Sequence, residues 1–237
     1  MSGDVIDTNS AMIAQEFKTI GVEIKRKVTV ADNLQQLAEE INQLSAQADI
    51  LIINGGLGPT VDDMTAQALA KAANCQLAQH PQALTHLEDW CRNRRFELNE
   101  QNLKQALLPT GCSILPNHIG SAVGFHLIHN QCDIYCTPGV PRELKPMLKQ
   151  EILPAIEKHI PGSLKVDISR FQVFGIGESS LQQLIDEGLQ DWPDEIELGF
   201  RAAMPMVEVK LTSRSRQATQ LKQVWIEKLY ALLGDHI

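Results

Sequence analysis

A short apolar run, Ile50-Leu51-Ile52-Ile53, ends abruptly in Asn54-Gly55-Gly56-Leu57-Gly58-Pro59-Thr60-Val61-Asp62-Asp63-Met64-Thr65. Apolar residues without alternation, bounded by Asp49 and Gly55, are the pattern of a strand buried on both faces. The helical spacing that begins near Val61 predicts a strand, a glycine-rich turn and a helix in succession. In open α/β sheets, ligands gather at the carboxyl ends of strands. Glycines let backbone N–H groups approach an anion, and a helix N-terminus adds its partial positive charge. The position suits a phosphate. The turn is not a Walker A loop, because no Gly-Lys-Ser/Thr follows. It is not the dinucleotide fingerprint either, because Gly56-x-Gly58 would require glycine where Val61 stands.

The flanking segments predict the fold class. Residues 8–20, 34–44 and 61–73 have helical apolar spacing, and Val22 to Val30 alternates like a half-buried strand. Two helices are expected over 81–108, broken near Glu97 to Asn99. Strands are expected at 123–128 and 133–136, then a helix over 141–159 interrupted at Pro154. Alternation of helices and strands means an α/β sheet covered by helices. After Pro161-Gly162-Ser163 the order becomes β-α-β-β-α, over 166–174, 179–189, 195–200, 206–212 and 217–233. The expected domains are therefore 1–162 and 163–237.

Charge narrows the partners. The 237 residues hold 21 Lys+Arg against 29 Asp+Glu, a net of −8. Such a surface repels polyanions on average, so neither a nucleic-acid coat nor a polybasic membrane binder is expected. Residues 163–237 alone carry 8 Lys/Arg against 11 Asp/Glu, a net of −3. Their Gly175-Ile176-Gly177-Glu178 turn is a poor clamp for a nucleic-acid backbone. No apolar run is long enough to span a bilayer. The opening MSGDVIDTNS has no basic n-region, and the 5 cysteines are odd in number and scattered, which suits a reducing cytoplasm.

Asp62 and Asp63 sharpen the reading of the turn. Two carboxylates beside a phosphate repel it unless a divalent cation bridges the oxygens. The structural alternative is a helix cap, with Thr60 as N-cap and Asp63 three residues on. The two are compatible. His126, His129, Cys132 and Cys136 invite a zinc site, but two histidines three apart on a strand point to opposite faces, and small buried cysteines suit a hairpin core. Cys91, beside Arg92, Arg94 and Arg95, fits an exposed basic helix face better than an activated thiol. No Gly-x-Ser-x-Gly elbow is present.

Several segments together resemble the CinA (competence/damage-inducible protein A) family, whose first domain is similar to the molybdopterin-binding MoaB/Mog domain. They are Gly3-Asp4-Val5-Ile6-Asp7-Thr8-Asn9; Gly55 to Thr60 with Asp62, Asp63 and Thr65; Asn102-Leu103-Lys104-Gln105-Ala106; Leu115-Pro116-Asn117 with Gly120-Ser121-Ala122 and Gly124-Phe125; Pro138-Gly139-Val140-Pro141 with Glu143; and Gly175-Ile176-Gly177-Glu178-Ser179. The resemblance implies a Mog-like three-layer α/β/α domain with a mostly parallel sheet, followed by a small KH-like βαββα domain. It also implies metal-dependent ADP-ribose pyrophosphatase activity, releasing AMP and ribose 5-phosphate. Relatives carry a strand ahead of the residues matching Gly3, and longer ones add a C-terminal nicotinamide-nucleotide deamidase domain. Both are expected to be missing from this chain.

On that resemblance Gly55, Gly56, Gly58 and Thr60 hold phosphate oxygens. Asp62 and Asp63 hold a divalent metal such as Mg²⁺, with a monovalent cation as an optional companion, and they act in catalysis with Lys104. Asp7 and Asn9 face the cleft from the first helix. Asn117, Gly120 and Ser121 bound the nucleotide, and Gly139 and Glu143 line the same sheet edge. Each has a plainer role: Asp7 and Asn9 as cap residues, Pro138-Gly139 as a strand terminator, Glu143 as a first-turn acid. The expected partners are a small nucleotide and a second copy of the chain in a dimer. Two other functions share the fold: a non-catalytic pterin- or nucleotide-binding module, and a molybdenum-cofactor adenylyltransferase.

Overall fold

The computed structural model describes residues 6–159, 166–203 and 205–237. The contacts divide it into two units. One holds the chain up to Glu16 together with Ile24–Ile156; the other holds Phe17–Glu23 and everything from Glu157 onward. The expected boundary at Pro161-Gly162-Ser163 lies outside the described residues, as do Gly3, Asp4 and Val5.

The first unit begins with helix α1 (Thr8–Thr19), which runs on into the second, and α2 (Leu34–Ser45). Asn33 starts α2 by accepting the N–H groups of Gln35 and Gln36 on its side chain. Strand β1 (Ile50–Asn54) then leads through the glycine turn to α3 (Thr65–Ala72). Strand β2 (Leu77–Gln79), α4 (Pro81–Arg94) and α5 (Glu100–Leu103) come next, then β3 (Leu107–Pro109), β4 (Ser113–Leu115), β5 (Gly124–His129) and β6 (Cys132–Thr137). Helix α6 (Pro141–Met147) continues through one π-helical turn, Leu148–Ile152, into α7 (Leu153–Glu157). Pro154 therefore falls in α7 and not at a break, and the continuation is marked instead by the widened turn just before it.

The fold class is the expected α/β. The main sheet has the order β1-β6-β5-β4, and β2 and β3 form a separate antiparallel pair. Strand β1 runs parallel to β6, with Ile52 opposite Tyr135, and the β5–β6 hairpin and β4 complete a mixed sheet. Period-two side-chain alternation sends Cys132, Ile134 and Cys136 into one core with Ala38, Ile41, Ala68 and Leu69 of α2 and α3. On the opposite face Gly124 lies against Met147 of α6, where a β-carbon would meet the sulfur. Helices thus cover both faces.

Two local expectations are corrected. Val22 to Val30 is no strand: it lies outside every ladder, with Ile24 and Val28 exposed, because alternation alone makes no strand without a neighbour to pair with. Helix α3 starts at Thr65 and not at Val61, so Thr60 is not its cap; Met64 occupies that position without a side-chain bond.

The second unit follows the expected order, with β7 (Asp167–Phe174), α8 (Glu178–Gly188), β8 (Ile196–Ala203), β9 (Met206–Ser213) and α9 (Arg216–Leu233). Its antiparallel sheet has the order β7-β9-β8. Val173, Leu181, Ile185, Val209, Leu211, Trp225 and Leu229 form its own core. Lys222 is fully buried there and pairs with Asp167, whose side chain is half exposed.

Candidate functional site

The turn after β1 is held from both sides. Gly55 N–H donates to Thr137 O on β6 at 2.8 Å, and Thr65 Oγ1 donates to Gly55 O at 2.7 Å. Gly55 and Gly56 have φ of +98° and +69°, a region that disfavours side chains, so both glycines are required by the backbone path. At the parallel end of β6, Gly139 lies so close that its β-carbon would stand 3.3 Å from Gly55 Cα.

Asn9 and Asn54 bind these two strand ends together. Asn9 Nδ2 donates to Asn54 Oδ1 at 2.8 Å and to Gly139 O at 2.7 Å. Asn54 Nδ2 donates to Thr137 Oγ1 at 3.0 Å and to Pro138 O at 2.8 Å. Asn9 is thus a strut that positions Gly139. Asp7, two residues earlier, caps α1 and, contrary to expectation, does not line the cleft, accepting instead from Ser10 N–H at 2.9 Å and Ser10 Oγ at 2.6 Å. The Lys27 ammonium, 2.6 Å away, and then Ser10 hold the Asp7 carboxyl well below the usual carboxylate range.

Beside the turn lies a cleft of about 470 Å³, within the span of small-molecule sites. Gly56, Gly58 and Pro59 form one wall, Gly139 and Arg142 another, and Gly120, Ser121 and Glu143 a third. Trp90, Arg94 and Gln105 also line it. The structure therefore brings Gly56, Gly58, Gly120, Ser121, Gly139 and Glu143 together as expected from the sequence. Asn117 stands behind this wall. Its Nδ2 donates to Ala122 O at 2.7 Å and to Glu143 Oε2 at 2.9 Å, and its Oδ1 accepts from the N–H groups of Ile119 and Gly120. Every polar atom of that amide is used to shape residues 117–122.

The two acids expected to bind a metal both lie close to Thr60, and Asp63 lines the cleft. Asp63 turns back into its own loop, accepting from Thr60 N–H at 2.9 Å and from Thr60 Oγ1 at 2.6 Å. Asp62 is exposed and is not part of the cleft lining. Lys104 donates to the Thr60 carbonyl and so braces the loop from behind. Among the described residues, no three His, Cys, Asp or Glu side chains gather in a way that would hold a metal ion.

Sequence reasoning places a helix here but misses that it supports the third wall. His86, Trp90 and Arg94 recur every four residues on one face of α4, and each reaches a backbone carbonyl of the same loop. A His86 ring nitrogen lies 3.0 Å from Gly120 O, while Trp90 Nε1 and Arg94 Nη2 both donate to Ile119 O at 3.1 Å. The Arg94 guanidinium also lies 4.5 Å from the Trp90 ring centroid. The i, i+4, i+8 spacing was the available signal. Cys91, on another face of that helix, is buried. His126 pairs with Asp133 at 2.7 Å and His129 with Asn42, while burial pushes the Cys132 thiol up to about 11.

A glycine turn and a guanidinium facing one cleft at the carboxyl ends of the parallel strands β1 and β6 define an α/β domain with a preformed cleft of small-molecule size. The comparisons give that class its family. Residues 1–158 match the model described as "Probable molybdopterin binding domain", and residues 169–237 match "Damage-inducible protein CinA KH domain". The chain belongs to the CinA-like family. It is 58% identical over 237 residues to a CinA-like protein of Colwellia psychrerythraea, covering 100% of this chain and 55% of that protein. It is 38% identical over 221 residues to the nicotinamide-nucleotide amidohydrolase PncC of Shewanella oneidensis, covering 93% of this chain and 52% of that protein. The solved protein CinA of Thermoplasma acidophilum, titled as of unknown function, superposes with a TM-score of 0.58 at 30% identity, over 66% of this chain and 90% of that one. The chain spans just over half the length of these curated relatives. These findings correct the expected ADP-ribose pyrophosphatase: the enzyme named among the relatives is an amidohydrolase, and the matching domain is described by binding a pterin.

Proposed function

We propose that the first unit binds a phosphorylated heterocycle, a pterin or a nucleotide, as a binding module. The observation that carries this is the shared lining: Gly56, Gly58 and Arg142 face one cleft of about 470 Å³. Glycines leave the backbone of the turn open to a phosphate, and Arg142 supplies a planar, permanently charged donor fork. Among the described residues no hydrogen bond or ion pair engages the exposed Arg142 side chain, so its donors are available. The domain description as molybdopterin-binding supports the pterin form of the reading.

Calorimetric titration tests it. A pterin monophosphate should bind at least tenfold more tightly than the same pterin without phosphate, and Gly56→Ala should remove that difference. Equal affinity for the two ligands would overturn the proposal. The amidohydrolase activity named for the Shewanella protein belongs to a chain of nearly twice this length, and its seat is not proposed to be this cleft.

A further inference from the structure

Ser113, His126 and Asp133 come from three neighbouring strands of the main sheet. The ladders set Ser113 of β4 opposite His126 of β5, and His126 opposite Tyr135 of β6, two residues on from Asp133. Period-two alternation puts all four on one face. Ser113 Oγ lies 3.4 Å from His126 Nδ1, and His126 Nε2 lies 2.7 Å from Asp133 Oδ1. None of these residues lines the cleft beside the glycine turn.

The contacts fix the place of each hydrogen. A carboxylate oxygen accepts, so His126 Nε2 carries the ring hydrogen. Nδ1 of the neutral ring is then bare and accepts from the Ser113 hydroxyl. The buried Tyr135 ring packs against the imidazole with centroids 4.6 Å apart, which holds its plane. Ser113 itself is exposed, so a small molecule can reach its oxygen. A hydroxyl backed by an imidazole that a carboxylate orients is the arrangement that activates a serine. Strand β4 ends the main sheet, so its outer side has no ladder among the described strands. Backbone N–H groups on that side are the kind of donor a developing oxyanion needs.

We propose that Ser113 is a nucleophile that takes the acyl group of small activated esters, with His126 as its general base and Asp133 as the residue that positions the imidazole. Ser113 Oγ bonds to the ester carbonyl carbon while its proton passes to His126 Nδ1. The bond from that carbon to the leaving oxygen then breaks, and His126 returns the proton to the departing alcohol. Acylated Ser113 and a free alcohol result, and no electrons are gained or lost. Because the three residues stand outside the cleft, this chemistry is independent of the binding reading above.

Incubation of the whole chain with 4-nitrophenyl acetate, followed by nitrophenol release and peptide mass spectrometry, tests it. An acetyl group should appear on Ser113. His126→Gly should slow that acetylation about a hundredfold, the usual contribution of a general base, and added imidazole should restore part of the rate. A merely structural histidine would show no such rescue. Asp133→Asn should lower the limiting rate at least about tenfold without moving the half-saturating ester concentration, and it serves as the test if the glycine variant fails to fold. Acetyl groups confined to other residues, or Ser113 acetylated as fast in the variants as in the parent, would overturn the proposal.

Discussion

Asp63 accepts two hydrogen bonds from a single residue, Thr60, one from its backbone N–H at 2.9 Å and one from its hydroxyl at 2.6 Å. The carboxylate therefore braces the glycine turn at the margin of the cleft that Asp63 also lines. Asp63→Ala should lower stability by about 1 kcal/mol, the usual net worth of lost hydrogen bonds of this kind. It should also weaken ligand binding by loosening the turn. Asp62→Asn should change neither. Urea unfolding and ligand titration of both variants check this, and a larger effect at Asp62 would contradict the geometry.

Arg142 should act as a charge contact. Arg142→Ala should weaken a phosphorylated ligand about tenfold and flatten the dependence of affinity on salt, because a screened Coulomb attraction is what is lost. Titrations at low and high sodium chloride measure it. An unphosphorylated ligand should not notice the substitution.

The α4 ladder gives a prediction for shape. Arg94→Ala removes a bond to Ile119 O and the cation over Trp90, so a loss of about 1–2 kcal/mol is expected. Hydrogen exchange should show faster opening at residues 117–122 in that variant, with the second unit unchanged.

Asp7 supplies an acid-sensitive element. Its folded carboxyl titrates lower than an unfolded one, so its contribution is present above the unfolded value near pH 4 and is lost as pH falls through the acid range. The side chain is 45% exposed, which limits the effect to under about 1 kcal/mol. Asp7→Asn should be slightly less stable than the parent at neutral pH, and the two should converge as the pH is lowered. A gap that widens in acid would reverse the assignment.

In the second unit, Lys222 and Asp167 should respond asymmetrically. Water reaches the carboxylate but not the ammonium, whose side chain is 0% exposed against 52% for its partner. Asp167→Ala strands a buried charge and should cost about 3 kcal/mol, whereas Lys222→Met should cost less than about 1 kcal/mol. Thermal unfolding of the two variants decides it.

The strands flanking the cleft were legible because each carries its own signature. Ile50 to Ile53 is apolar throughout and does form a strand, but β1 is half-buried rather than buried on both faces, because among the described strands only β6 pairs with it. The second unit read equally well, since Met206 to Ser213 alternates and pairs on both sides. Val22 to Val30 alternates just as clearly and yet forms no ladder, because pairing is decided by a neighbour that no local pattern specifies. The three-residue strands β2, β3 and β4 are too short to leave a period. At the site, residue type was readable but direction was not. Asp62 and Asp63 are adjacent acids in the sequence, and only the fold of the turn brings both to Thr60, with Asp62 exposed and Asp63 bonded to the backbone N–H as well as the hydroxyl.

The near contact of Gly55 and Gly139 has a consequence for how this cleft can change over time. Two turns more than eighty positions apart meet unequally: a β-carbon at Gly139 would press within 3.3 Å of Gly55 Cα, while one at Gly55 would sit an ordinary 3.9 Å from Gly139 Cα and is opposed instead by a φ of +98°. A mutational library should therefore hold glycine firmly at 55, and admit small side chains at 139 where the facing turn yields by a few tenths of an ångström. The freedom of one position to change thus depends on the give of a turn far away in the chain.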